Sequence, residues 1–483
     1  MAVDHRDMEQ NNNNYQYGMK STFAQCYAIV GACFVQIGIG CQIMLPTIII
    51  GSLEKNEFAN GTNESNRDEF LIMSTKQASW FGSLLYLCTP LGSLVSSILL
   101  RRIGHKRCLI LSNVPYLASI VLLYHANDIE TLYLCSVITG LTMGFVGGPS
   151  SSYLSEVCEP KLRGALTSAT NVFYFAGVLM VTVIYAMTLQ WRYTVLVTTI
   201  VPVLNIIVLL VTPDSPIWLI TRGKTNKAQQ TLGKLRGWVS HEKCVHEFHE
   251  MVIYTTKETV DGNDQDSINN VWQQLVQPEV IKPFRLLVIY FFFSNLLSGV
   301  PYSPYLTAVF INFGAPVDVN WTIAFSVILG AFGGIMTIFS VRILGKRFLT
   351  LSTLMICSVC YISIGLIGLH CESLNPVKSW TILVLFLIAT LAASFGIMPI
   401  GWVLLGEVFP IKTKNITCSV CSVLSFIITF FFTKFYLDFE NLVGFYNTFT
   451  LFGVGGLIGF VYFYFFLPET ENKTLKEIEE FFK

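Results

Sequence analysis

Long apolar runs, broken by short polar clusters, recur along nearly the whole chain. A helix needs about 20 mainly apolar residues to cross a bilayer's hydrocarbon layer, and twelve runs of that kind can be read. They fall near residues 24–50, 78–100, 107–124, 131–154, 165–188, 192–212, 283–311, 320–340, 347–369, 379–406, 417–437 and 443–467. One hydrophilic stretch, 213–281, is much longer than the other interruptions and parts the first six runs from the last six. The pattern predicts an all-α membrane protein with twelve transmembrane helices in two six-helix halves. Its segments are an N-terminal tail (1–23), a first half (24–212), a short helical linker (213–281), a second half (282–467) and a C-terminal tail (468–483).

Composition agrees: 53% hydrophobic and 13% charged residues would leave too much apolar surface on a water-soluble globule. A formal net charge of zero lacks the concentrated basic surface that nucleic acid requires. The first twenty residues, with Asn11 to Asn14 in a row, are too polar for the core of a cleavable signal peptide. The thirteen cysteines show neither paired metal spacing nor a disulfide framework, and read as soft packing residues.

Lysine and arginine assign the two sides. Arg101, Arg102, Lys106, Arg107, Lys161, Arg163, Arg342, Lys346, Arg347, Lys412 and Lys414 fall in the loops after spans 2, 4, 8 and 10, whereas the opposite loops offer little beyond Arg192, Lys378 and Lys434. Positive loops stay in the cytoplasm, so both termini are expected there. The loop between spans 1 and 2 then faces outside, where Asn60 and Asn63 begin two glycosylation triplets. Passage through the secretory route places the protein in the plasma membrane.

The halves repeat each other. Arg102-Ile103-Gly104-His105-Lys106-Arg107 after span 2 is echoed by Ile343-Leu344-Gly345-Lys346-Arg347 after span 8, and Glu156 with Arg163 is echoed by Glu407 with Lys414. Half-chain repeats mark transporters whose substrate site lies near the bilayer midplane between the halves.

Several ordered segments resemble the sugar porter family of the major facilitator superfamily. Pro213 to Leu219 reads PDSPIWL and Pro468 to Leu475 reads PETENKTL, similar to signatures that follow spans 6 and 12. Between them, Tyr153 to Val157 with Arg163-Gly164, Trp191-Arg192, Ser298-Gly299, and Pro399 through Trp402 to Pro410 fall in the matching spans. Gln77-Ala78-Ser79-Trp80 resembles the insect facilitated trehalose transporter branch.

This resemblance implies the major facilitator fold, a sugar substrate, alternating access, no cofactor and a protein working as a monomer in the bilayer. It places substrate contacts on Asn171 and Tyr174 in span 5, Asn295, Leu296, Ser298, Pro301 and Tyr305 in span 7, and Trp402 and Ser425 in spans 10 and 11, with Gln36 and Gln42 as polar candidates on span 1. The chain departs from the family where long amides are usual, at 171, 295, 296, 301 and 425, so the preferred sugar is not carried over. Span 1 has no acidic residue from Ala24 to Ile50, where proton-coupled porters carry one, so facilitated diffusion is expected. The resemblance also implies a gate of Glu156 and Glu407 with Arg102, Arg163, Arg347 and Lys414. The family's acid three residues before each loop glycine is Arg101 in one half and Arg342 in the other, which should weaken the latch.

Plainer readings stand beside these. Gln36, Gln42 and Asn171 can hold helices together, Tyr302 and Tyr305 around Pro304 can be interfacial anchors at a break in span 7, and Gly92, Gly147, Gly148, Gly333 and Gly334 can serve close packing. His241, Cys244, His246 and His249 alternate with charges and read as a solvated amphipathic helix, not a metal site. No ordered nucleophile and base or phosphate-cradling loop points to an enzyme. The rival readings are a sugar-sensing receptor that has lost turnover and a carrier of another organic solute.

Overall fold

The computed structural model describes residues 19–53, 71–239, 244–249, 251–253, 277–370, 376–410, 413–471, 473, 477 and 481–482. Asn60, Asn63 and His241 lie outside the described residues, and so do the side chains of Arg101, Arg163, Arg342 and Lys414. Among the described residues, twelve helices are long and apolar enough to cross a membrane: Met19–Leu53, Thr75–Leu100, His105–Tyr124, Ile129–Val157, Thr170–Thr188, Trp191–Val211, Pro278–Leu297, Val319–Val341, Lys346–His370, Pro376–Glu407, Ile416–Val443 and Phe445–Phe466. They are called spans 1 to 12. Large apolar side chains such as Leu94, Phe339 and Phe465 face outward, as a hydrocarbon solvent allows.

Three spans are broken, each next to a proline, whose missing N–H cannot close the helical ladder. Span 6 divides into Trp191–Thr198 and Ile200–Val211, with Pro202 lacking the donor for the Thr198 carbonyl. Span 10 divides into Pro376–Phe395 and Ile397–Glu407 at Gly396, three residues before Pro399. Span 7, read from sequence as one run over 283–311, ends as a helix at Leu297. It resumes as a short 3-10 turn, Ser303–Tyr305, and a helix, Leu306–Asn312. Gly299 at φ +81° and two prolines, Pro301 and Pro304, prevent a continuous helix there. Span 11 runs past the expected residue 437 to Val443, because Asp438 and Glu440 are tolerated until Gly444 turns the chain at φ +97°.

Within the first six spans, span 2 packs along span 4 and span 1 along span 5. The second contact is a backbone approach: a Cβ on Gly40 would collide with the Tyr174 carbonyl, and one on Gly177 with the Ile37 carbonyl. Among the last six, spans 9 and 12 form a close pair. The two sets meet through span 2 with span 11, span 5 with span 8, and span 1 with residues 303–312.

At one end of the bundle, here the linker end, helices Pro216–Thr221 and Thr225–Leu235 dock beneath spans 1 and 4, where Ala28, Tyr153, Val157 and Leu235 form a buried cluster. Arg236, almost wholly buried, bonds Glu247 at 2.6 Å and the Val157 carbonyl at 3.2 Å. His246 and His249 are exposed while Cys244 is buried. The other end is called the far end.

Candidate functional site

The seam between the two sets of spans is aromatic at mid-depth. Leu85 and Tyr86 of span 2 cluster with Phe430 of span 11, and Phe426 and Met143 pack against them. Trp402, on the second segment of span 10, lies against Phe291 (centroids 5.1 Å) and Phe426 (6.0 Å), and 45% of it remains exposed. Opposite, Tyr174 meets Phe175 edge-on at 5.3 Å, and Phe175 packs over Gly330 and Gly334 of span 8. Asn171, about one turn toward the linker end, is exposed, and Gln36 is half-buried.

The other expected contacts are turned to packing in this conformation. Asn295 is buried; its Nδ2 donates to the Phe291 carbonyl (2.8 Å) and its Oδ1 accepts from Thr429 (2.8 Å). Thr429 also points at the carbonyl of buried Ser425 (2.9 Å). Ser298 is half-buried where span 7 breaks, its N–H closing on the Ser294 carbonyl at 2.9 Å. Tyr305 is buried, stacked on Tyr436 (5.7 Å, 11°), and its hydroxyl donates to the Thr433 carbonyl at 3.2 Å.

At the far end, bonds run from one set of spans to the other. Thr47 donates to the Ser303 carbonyl (2.9 Å). Lys434 of span 11 donates to the Ser79 hydroxyl of span 2 and sits 4.6 Å over the Trp80 ring, while Ser79 donates back to the Lys434 carbonyl at 3.1 Å. Gly51 and Gly82 let Thr307 and Pro304 approach closely. Ser79 and Trp80 stood in the sequence only as a family hint; a lysine near the end of an apolar span was the available signal for the latch.

At the linker end, His105 and Lys346 each meet glutamates on their own side of the linker. His105 Nε2 is 3.4 Å from Glu156, and Lys346 Nζ is 2.7 Å from Glu407 and 2.9 Å from Glu471. Glu156 and Glu407 are thus each reached by the residue directly after a loop glycine. Gly104 (φ +85°) and Gly345 (φ +80°) turn the chain so that His105 and Lys346 begin the next helix pointing inward. Arg102 is exposed, its carbonyl accepting from Arg222 at 2.8 Å. Arg347 instead reaches the Tyr464 carbonyl at 2.6 Å.

A hydroxyl completes each cluster: Ser215 of PDSPIWL donates to Glu156, and Thr470 of PETENKTL to Glu407 at 3.0 Å. The two signatures thus do the same work in the two halves, an equivalence hidden in the sequence by their different wording. Glu469 caps the start of span 9, accepting from the Lys346 and Arg347 backbone at 3.0 and 2.9 Å.

Residues 32–482 match the family model described as "Sugar (and other) transporter". Among curated proteins, the facilitated trehalose transporter Tret1 of Apis mellifera ligustica is 27% identical over 412 residues, covering 84% of this chain and 79% of that one. Tret1 of Polypedilum vanderplanki is 26% identical over 412 residues, covering 84% and 80%. Among solved structures, the inward open conformation of the xylose transporter XylE from E. coli overlays at a TM-score of 0.75 with 16% identity, covering 94% of this chain and 99% of that one. The proton:xylose symporter XylE bound to 6-bromo-6-deoxy-D-glucose overlays at 0.71 with 18% identity, covering 96% and 100%.

Proposed function

Since the chain belongs to the sugar transporter family of the major facilitator superfamily, we propose that it carries a hexose or trehalose by facilitated diffusion, the 24–212 half rocking against the 282–467 half. The observation that carries this reading is the asymmetry of the seam. Bonds join the halves at the far end, while at the linker end His105 and Lys346 meet glutamates of their own half. That is the arrangement of a carrier closed on one side and ready to part on the other. With the termini and linker in the cytoplasm of a plasma-membrane protein, the state is inward-open.

Gln36, Asn171, Tyr174 and Trp402 are the groups we assign to solute. Trp402 offers an aromatic face to the apolar side of a sugar ring, and the amides offer hydrogen bonds to its hydroxyls. Asn295 and Ser425 support the wall in this state, and Ser298 and Tyr305 belong to the hinged part of span 7 that occludes the far end. Glu156 and Glu407, with His105, Lys346 and the positive charges of Arg102, Arg163, Arg347 and Lys414, form the inner gate. Span 1 supplies no carboxylate from Ala24 to Ile50, and a carboxylate in that helix is the proton carrier of coupled porters, so transport follows the sugar gradient alone.

The test is counterflow of labelled glucose, fructose and trehalose into proteoliposomes, with and without a proton gradient. Saturable flux of one sugar that ignores the gradient is the expected result. Gradient-driven accumulation would overturn the uncoupled mechanism. Absence of flux for all three, with sugar still raising the thermal midpoint, would replace the carrier reading by a sensor.

A further inference from the structure

Away from the seam, inside the first half, spans 1, 3, 4 and 6 enclose a cavity of about 20 Å³. A second cavity of similar size adjoins it and shares two lining residues, Gln42 and Tyr116. Three buried polar atoms line these walls: Gln42 Oε1, the Tyr116 hydroxyl, which has only the Cys41 thiol beside it, and Asn205 Oδ1; the two amide oxygens have no hydrogen-bond partner among the described residues. Their residues are 4%, 4% and 2% exposed.

The surrounding bonds explain why these atoms are left over. Asn205 donates its Nδ2 to Asn113 Oδ1 at 3.1 Å, which leaves its oxygen facing the cavity. Asn113 in turn directs its amide hydrogens to the Leu109 carbonyl at 2.8 Å and the Ile110 carbonyl at 3.4 Å, along its own helix and away from the Asn205 oxygen. The Cys41 thiol beside Tyr116 is directed at the Gly177 carbonyl, 3.5 Å away. Pro46, which lines the second cavity, has no N–H for the Gln42 carbonyl one turn earlier. The niche therefore holds a surplus of acceptor oxygens beside the missing hydrogen bond at Pro46 of span 1.

We propose that this pair of cavities is a built-in water site, each holding one or two bound waters that donate to Gln42, Tyr116 and Asn205 and hydrate span 1 at Pro46. A site of about 20 Å³ with several polar partners suits one or two waters and nothing larger. Neither cavity is lined by a carboxylate, so nothing there would offset the charge of a cation at membrane depth. The location gives the water a purpose. Just past Pro46, Thr47 and Gly51 make the far-end contacts with Ser303 and Thr307, and these contacts must break when the far end opens. Water beside Pro46 can exchange its hydrogen bonds as the outer part of span 1 moves, which a fixed side-chain partner could not do. Gln42 is thereby assigned to this joint and not to the transported solute.

Hydroxyl-radical footprinting of the full chain in lipid nanodiscs, read by mass spectrometry, tests this, because radicals generated from bound water label the side chain they touch. Tyr290 and Tyr361 are equally buried but donate to carbonyls at 2.9 Å and serve as internal references. Tyr116 should be modified faster than either, as a ring touched by bound water; equal rates would overturn the proposal. Asn205→Leu, or Gln42→Met if that variant does not fold, should bring Tyr116 to the reference rate, and unchanged labelling in a folded variant would count against the site. Replacing choline by sodium should change nothing, and sodium-dependent protection of Tyr116 would mean that the niche takes a cation instead.

Discussion

Glu156 and Glu407 illustrate how much a single residue's role depends on which neighbour the backbone turns toward it. Spacing alone placed several arginines and lysines near the glutamates, and the positive φ of Gly104 and Gly345 rotates His105 and Lys346 inward and leaves Arg102 outside. Glu407→Gln removes the partner that Lys346 holds at 2.7 Å and leaves it with Glu471. Uptake should fall by about fivefold or more, the low end of ordinary coupling between sites, at unchanged surface level. Equal uptake at equal expression would take this pair out of the transport cycle. Lys434→Met removes a far-end cation–π contact of about 1–2 kcal/mol, enough to shift the conformational balance about tenfold. Spin labels on the far ends of spans 2 and 11 should then report a larger population of long distances; an unchanged distribution would show that Lys434 does not hold that end closed.

At the scale of the element, hydrophobic runs located every span, because helix length is set by bilayer thickness and not by fine packing. The breaks were less legible. A proline marks where a hydrogen bond is missing, yet Pro90 and Pro149 sit within unbroken helices while Pro301 and Pro304 end one. The difference lies in Gly299 at φ +81° and in Tyr302, whose hydroxyl pairs with Tyr361 at 2.7 Å and pins the irregular segment. Close helix pairs rest on small residues, and Gly40 against the Tyr174 carbonyl offers a direct test. Gly40→Leu should destabilise by about 1–3 kcal/mol, the usual cost of overpacking, and lower the thermal midpoint of purified protein. A wild-type midpoint would mean that spans 1 and 5 can separate freely.

For the whole molecule, alternating access asks that one end be fastened while the other is free, and fastening depends on contacts between residues hundreds of positions apart. Ser79 meeting Lys434 and Thr47 meeting Ser303 are of this kind. Sidedness is a separate property of the whole chain, proposed here from its positive loops. Asn60→Gln and Asn63→Gln should each remove one glycosidase-sensitive step in mass from protein expressed in insect cells. If neither residue carries sugar while a triplet engineered at the linker end does, the orientation is reversed.

The sequence by itself determined the twelve spans, the division into two repeated halves, the family and the absence of an acid in span 1. Each of these follows from local hydropathy or from short motifs read in order, and neither needs knowledge of which helix touches which. Only the tertiary structure decided which side chain meets Glu156 and Glu407, that Asn295 bonds Phe291 and Thr429, and that Gln42, Tyr116 and Asn205 surround one cavity. Those outcomes depend on the rotation of each helix about its own axis, which packing against several partners sets at once. In an apolar solvent hydropathy constrains that rotation weakly, since a side chain facing lipid and one facing a neighbouring helix are drawn from the same apolar set.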